Sequence, residues 1–216
     1  MSELTPEDVI AADPERAGAV PVRKRLKPGE RREQILQTLA AMLEQPGAEQ
    51  RITTAALAAR LGVSEAALYR HFSSKAQMFE GLIEFIENSV FTLINQVLER
   101  EGTQPAQAAR VVALLLQFAE KNPGMTRVMA GDALVFEHER LQVRMNQFFD
   151  RVEAQLRQCL RGVQDEQDSA PPPVGVSARA SMMAGFAMGR LQRFARSGFK
   201  RSPTEHLDLV LSWMVL

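Results

Sequence analysis

Between Arg51 and Lys75 the chain reads RITTAALAARLGVSEAALYRHFSSK, and these residue types suit contact with a nucleic acid better than bond-breaking chemistry. Thr53, Thr54, Ser64 and Tyr69 carry hydroxyls, Arg70 and Lys75 carry positive charge, and His71 carries an imidazole. Ala66 and Ala67 are small enough to let a helix sit deep in a major groove, where an alanine methyl can meet a thymine methyl. Arg70 can donate a fork of hydrogen bonds to guanine or grip a phosphate, while Tyr69 and His71 suit phosphates at the groove wall. Thr53 and Thr54 can cap a helix and offer hydroxyls and backbone N–H groups to the DNA backbone. Lys75 opens the following helix, where its charge and the helix dipole both attract a phosphate.

Two short helices joined by a tight turn must hold these groups. Leu57, Ala58 and Leu61 form the inner face of the first, and Gly62 follows it, where a left-handed residue ends a helix cheaply. Ser64 is placed to cap the second, with Val63 and Leu68 spaced as a hydrophobic staple. The spacing predicts a second helix from Glu65 to Phe72 that turns Leu68 and Phe72 inward and leaves Ala66, Ala67, Tyr69, Arg70 and His71 at or near its outer surface. That arrangement is a helix-turn-helix with a recognition helix suited to the major groove.

The surrounding chain reads as helix throughout, with no stretch of period two and no repeat at a fixed interval. Ile35, Leu36, Leu39, Met42 and Leu43 make a stripe in a first helix that ends near Pro46–Gly47. Ser74 and Gln77 form a capping-box pattern that opens a long helix to about Arg100. Further helices are expected over about 104–121, 125–130, 132–161, 177–197 and 203–216, the last with Ser202 as cap and Pro203 at its first position. The expected organisation is an all-α chain: an arm over 1–29, acidic then basic; a helix-turn-helix module over 30–76; and a helical dimerisation and partner-binding part over 77–216.

Charge is segregated along the chain although the total is zero. Residues 1–22 have net charge −4, residues 23–76 net +5, and residues 77–216 net −1. The positive excess coincides with the proposed reading helix, as binding to a polyanion requires. The lone Cys159 permits no internal disulfide and suits a reducing cytoplasm. No secretory signal or membrane-spanning run is visible. The three histidines, His71, His138 and His206, lie far apart in sequence. No HExxH, CxxC, GxSxG or phosphate-binding glycine loop occurs, so neither catalysis nor a metal or other cofactor is expected.

The run TTAALAARLGVSEAALYRHFSSK resembles the TetR family of bacterial DNA-binding proteins. The matching features are the threonine pair, Leu57-Ala58, the Gly62-Val63-Ser64 turn, Leu68-Tyr69, His71-Phe72 and Ser74-Lys75. Ala66 departs from the glycine that many members carry. Similarity continues through RREQILQTLAAMLE, NPGMTRVMAGDALVFEHERLQVRMNQFFDRVEAQLRQCLR and FKRSPTE to the family's branch of nucleoid occlusion factors. The resemblance implies a cytoplasmic, nucleoid-associated homodimer on palindromic double-stranded DNA. It also implies that the DNA-bound protein engages the division GTPase FtsZ and antagonises division-ring assembly over the chromosome.

Two further surfaces bear on that reading. Phe85 lies off the main stripe of its helix, and Leu114, Gln117, Lys121 and Asn122 line the helix expected beside it. An apolar patch with a basic rim suits a short, acidic, apolar peptide, so the FtsZ groove is placed there. A core or dimer role for Phe85 is the alternative. Met183, Ala187, Leu191 and Phe194 repeat at helical spacing and are read, with the helix 207–216, as the dimer face. The competing function is a repressor controlled by a small apolar ligand, its pocket lined by Leu114, Phe118, Met125, Met129, Phe148, Val152, Met183 and Phe186.

Overall fold

A computed structural model describes residues 29–45, 51–100, 104–161 and 174–215. Residues 1–28 of the expected arm (1–29), and the polar, proline-rich stretch 162–173, lie outside them. The described residues form α1 (Glu30–Leu43), α2 (Thr54–Leu61), α3 (Glu65–Tyr69), α4 (Lys75–Arg100), α5 (Gln104–Lys121) and α6 (Pro123–Met129). A 3₁₀ turn at Asp132–Leu134 leads to α7 (Glu139–Arg161), α8 (Val174–Arg196) and α9 (Leu207–Val215).

The N-terminal helices close on one end of a hydrophobic core that continues through the C-terminal helices. Ile35, Leu39 and Leu43 of α1 meet Leu57 of α2, Leu68 of α3 and the following Phe72, all buried. Met78, Phe79 and Leu82 of α4 complete that end, so the first turns of α4 belong to it. Beyond them α4 continues as a spine, burying Ile83, Ile86, Val90 and Ile94 among the C-terminal helices.

A second seam ties the two parts together. Gly124 of α6 sits so close to α1 that a β-carbon there would stand 2.0 Å from the Ala40 carbonyl oxygen. Only a residue without a side chain permits that approach. Behind it, the Thr126 hydroxyl donates to the Ala119 carbonyl at 2.8 Å, holding α6 against the end of α5.

Four expectations are corrected. The recognition helix stops at Tyr69 rather than Phe72. The amides of His71 and Phe72 both turn back to the Leu68 carbonyl, and Phe72 is drawn into the core. The helix expected from Asp132 begins only at Glu139, because Gly131 takes a left-handed φ of 86° and a 3₁₀ turn intervenes. The last helix begins at Leu207, not Pro203, since the Ser202 and Thr204 hydroxyls are drawn to Glu120 on α5 and His206 adopts φ 54°. Finally, Met183, Ala187, Leu191 and Phe194 are buried within the protomer. The outer surface of α8 and α9 carries Met182, Met188, Leu209 and Trp213 instead.

Candidate nucleic-acid interface

The two short helices are capped as their sequence requires. Thr53 Oγ1 accepts from the Ala56 amide at 3.1 Å, and Ser64 Oγ accepts from the Ala67 amide at 3.3 Å. Gly62 takes φ 64°, and its amide and that of Val63 turn back to α2 carbonyls. This left-handed residue reverses the chain without strain and sets α3 across α2.

The outer side of α3 is then presented as expected. Ala66, Tyr69 and Arg70 are exposed, while Ala67 and His71 are half-buried. Arg70 and His71 stand in the turn that ends α3 rather than inside a helix. A polar network crosses from α2 to α3: Thr54 donates to the Glu65 carboxylate at 2.6 Å, and the Tyr69 hydroxyl lies 3.5 Å from Thr54 Oγ1. The network fixes the angle between the two helices and gathers two hydroxyls at one edge of the reading face.

Three residues that local sequence does not reveal support this face. Arg32 of α1 lays its guanidinium 4.1 Å over the Phe72 ring and donates to the His71 carbonyl, holding the exit of the recognition helix. Glu65 anchors Thr54. Glu137, in the turn before α7, receives the Lys75 ammonium and lies 3.9 Å from Arg51 Nε. Lys75 is thus turned toward protein and largely covered, although it sits at the first position of α4. Arg32 and Glu137 lie 39 and 62 residues from the groups they hold, beyond the reach of any periodicity argument.

At the α4 start the amide of Gln77 donates to Ser74 Oγ at 3.2 Å. The returning Gln77 side chain accepts from the Ser73 amide at 3.0 Å, one residue earlier than the usual box. Farther along, Arg144 of α7 pairs with Glu87 of α4 at 2.7 Å and also donates to the Glu80 carbonyl. The hydrogen bonds to Glu87 push the Arg144 pKa above its ordinary value. The pair buttresses α4, whose first turn carries Lys75.

The partner-surface residues lie on two helices packed side by side. Phe85 of α4 is exposed (46%), which removes the core alternative within the protomer. On α5, Gln117 and Lys121 are exposed and Leu114 is half-buried. Asn122, half-buried just past α5, donates its amide to the Phe118 carbonyl at 2.7 Å.

The residues expected to line an effector pocket pack mainly as core: Met129, Phe148, Val152 and Met183 are buried. A cavity of about 170 Å³ shares Met129 with that set and is otherwise lined by Leu134, Met145, Phe149, Met188 and their neighbours. That is below the roughly 300 Å³ at which small-molecule sites begin. Among the described residues no helix is long and apolar enough to cross a membrane.

A short recognition helix on a capped three-helix base, joined by a spine helix to a larger all-helical part, defines a helix-turn-helix DNA-binding protein of the TetR class. Family models agree: residues 35–82 match the bacterial regulatory proteins of the tetR family, and 104–216 match the tetracyclin repressor-like C-terminal domain of SlmA-like type. The chain is 55% identical over 178 residues to nucleoid occlusion factor SlmA of Photobacterium profundum, covering 82% of this chain and 90% of that one. It is 51% identical over 189 residues to SlmA of Idiomarina loihiensis, covering 86% and 93%. FadR of Bacillus subtilis, solved with stearoyl-CoA, shares the fold at TM-score 0.66 and 16% identity, over 85% of this chain and 97% of that one. The chain belongs to the SlmA nucleoid occlusion factors of the TetR family. That kinship does not favour the ligand-controlled repressor.

Proposed function

We propose that the protein carries out nucleoid occlusion as a homodimer on palindromic chromosomal sites, where it binds FtsZ and antagonises division-ring assembly. The observation that carries the reading is the exposed face of α3 with its closing turn, small at Ala66 and basic at Arg70, in a chain 55% identical over 178 residues to a nucleoid occlusion factor. In each protomer α3 enters the major groove N-terminus first, with Ala66 and Ala67 against base edges and Arg70 reading guanine or holding phosphate. Thr53, Thr54, Ser64, Tyr69, His71 and Lys75 take the flanking phosphates. The two recognition helices then stand about one helical turn apart, ~34 Å.

Dimerisation uses the outer face of α8 and α9. Met182, Met188, Leu209 and Trp213 are each more than a third exposed, a concentration of large apolar groups that a second copy would cover. FtsZ docks on the α4–α5 surface, with its apolar residues against Phe85 and Leu114 and its acidic ones toward Lys121 and Asn122.

Sedimentation of FtsZ polymer with this protein, with and without DNA selected from random sequence, tests the reading. DNA-dependent loss of polymer is expected. Intact polymer in the presence of tight DNA binding would instead leave a transcriptional regulator.

A further inference from the structure

The connection between α8 and α9 is more firmly built than a simple link requires. Ser197 Oγ donates to the Phe194 carbonyl at 2.8 Å and accepts from the amides of Lys200 and Arg201 at 3.1 and 3.0 Å. Phe199 adopts φ 64°, rests its ring against Phe194 at 5.1 Å, and lies 5.0 Å beneath the buried Arg127 guanidinium. A bulky residue keeps such a backbone only where its surroundings enforce it. The Ser202 and Thr204 hydroxyls then donate to the two oxygens of Glu120, at 2.5 and 2.9 Å, fastening the turn to the end of α5.

This clasp has an electrostatic consequence. The Glu120 carboxylate keeps its charge, but both oxygens are held by these hydroxyls and among the described residues it forms no ion pair with a neighbouring cation. Lys121, the next residue, is exposed, as are Lys200 and Arg201 on the fastened turn. Residues 190–201 hold five basic residues and no acidic one. Among the described residues, none of Lys121, Lys200 and Arg201 has an ion-pair partner. Three unpaired cations are therefore held at the foot of α5, at the same end of that helix as the Lys121–Asn122 rim of the surface assigned to FtsZ.

We propose that Lys121, Lys200 and Arg201 form one composite basic site for the acidic residues of the peptide that docks on α4 and α5. The inference rests on that docking reading and extends it to the α8–α9 turn. A single exposed ion pair contributes little, but cations on an ordered turn lose less freedom on binding than the same groups on a loose loop. Charge complementarity commits the site to an acidic segment, with attraction that weakens as salt rises.

The test uses the full chain bound to DNA and a labelled peptide of the FtsZ C-terminal tail, followed by fluorescence anisotropy. Lys200→Glu/Arg201→Glu should weaken the peptide roughly tenfold at low salt, with the deficit shrinking as salt rises. Should that variant lose helicity, Lys200→Gln/Arg201→Gln serves in its place and should show a smaller loss of the same salt dependence. Ser202→Ala/Thr204→Val leaves the cations in place but frees the turn, and should also weaken the peptide. Wild-type affinity in the folded charge variants, with Phe85→Ala releasing the peptide, overturns the proposal and leaves the α4–α5 reading standing. Unchanged binding in Phe85→Ala and Lys121→Glu as well would remove both. Loss of DNA affinity with peptide binding intact would assign the turn to the nucleic acid and also overturn the proposal.

Discussion

The ammonium group of Lys75, at the first position of α4, rests on the carboxylate of Glu137, 62 residues later in the chain. Glu137 is almost fully covered (side chain 6% exposed) and has Arg51 as a second cationic neighbour at 3.9 Å. One acidic side chain thus offsets two cations next to the reading helix, at the joint between the DNA module and α7. A phosphate approaching Lys75 must compete with it. Glu137→Gln should therefore tighten binding to non-specific DNA a few-fold at low salt and steepen the salt dependence by up to about one released counterion. Lys75→Ala should cost more in the Glu137→Gln background than in the wild type, a coupling that a double-mutant cycle reads directly. Additive effects would mean that Lys75 meets no phosphate.

Gly124 should tolerate no side chain. Alanine there would press its β-carbon to 2.0 Å from the Ala40 carbonyl oxygen, and a backbone atom cannot swing away. The strain is on the order of 3 kcal/mol, which for a chain of this size lowers Tm by roughly 6–12 °C. Because the contact joins α1 to α6, Gly124→Ala should also loosen the reading head and weaken specific DNA binding. Thermal melts with and without DNA would show both effects, and a wild-type Tm would refute the close approach.

Charge on the outer face of α8 and α9 should separate protomers. Trp213 is 65% exposed and Met188 37%, so neither supports the protomer's own core strongly. Trp213→Arg/Met188→Glu should retain helicity yet scatter light as a monomer at micromolar concentration. Its DNA affinity should drop sharply, because a single reading head grips only half of a palindrome. A persistent dimer would place the interface elsewhere.

The Cys159 thiol should be inert in the native protein. It is buried in the α7 packing face, and burial raises its pKa. Ellman's reagent at pH 8 should react far more slowly with native than with urea-unfolded protein. Because the folded pKa lies above the unfolded one, the thiol's contribution to stability is complete below pH ~8.5 and declines as pH rises beyond it. Between pH 8 and pH 9.5 the urea midpoint of the wild type should therefore fall more than that of Cys159→Ala.

Much of the reading face was legible in the residues alone. Caps, left-handed glycines and hydrophobic staples act within five residues, so Thr53, Gly62, Ser64 and the buried Leu57 and Leu68 followed from spacing. The seven residues of α4 that the structure buries, from Met78 to Ile94, likewise recur at helical spacing. Spacing failed where a distant group outbid a local signal. Ser202 and Pro203 form a good helix start, yet Glu120 draws the Ser202 and Thr204 hydroxyls away, and α9 begins four residues later. Met183, Ala187, Leu191 and Phe194 do form a helical stripe, but a stripe states only that a face is covered, not what covers it. The same limit applied to Lys75, whose place at a helix start is local and whose partner Glu137 is not.

The sequence by itself determined the helical class, the helix-turn-helix and the residues its recognition helix presents, because periodicity, capping and turn chemistry are short-range. Tertiary structure decided which apolar faces are satisfied within the protomer, which cations are neutralised and which are left free. Those outcomes depend on side chains that packing alone brings together from positions far apart in the chain.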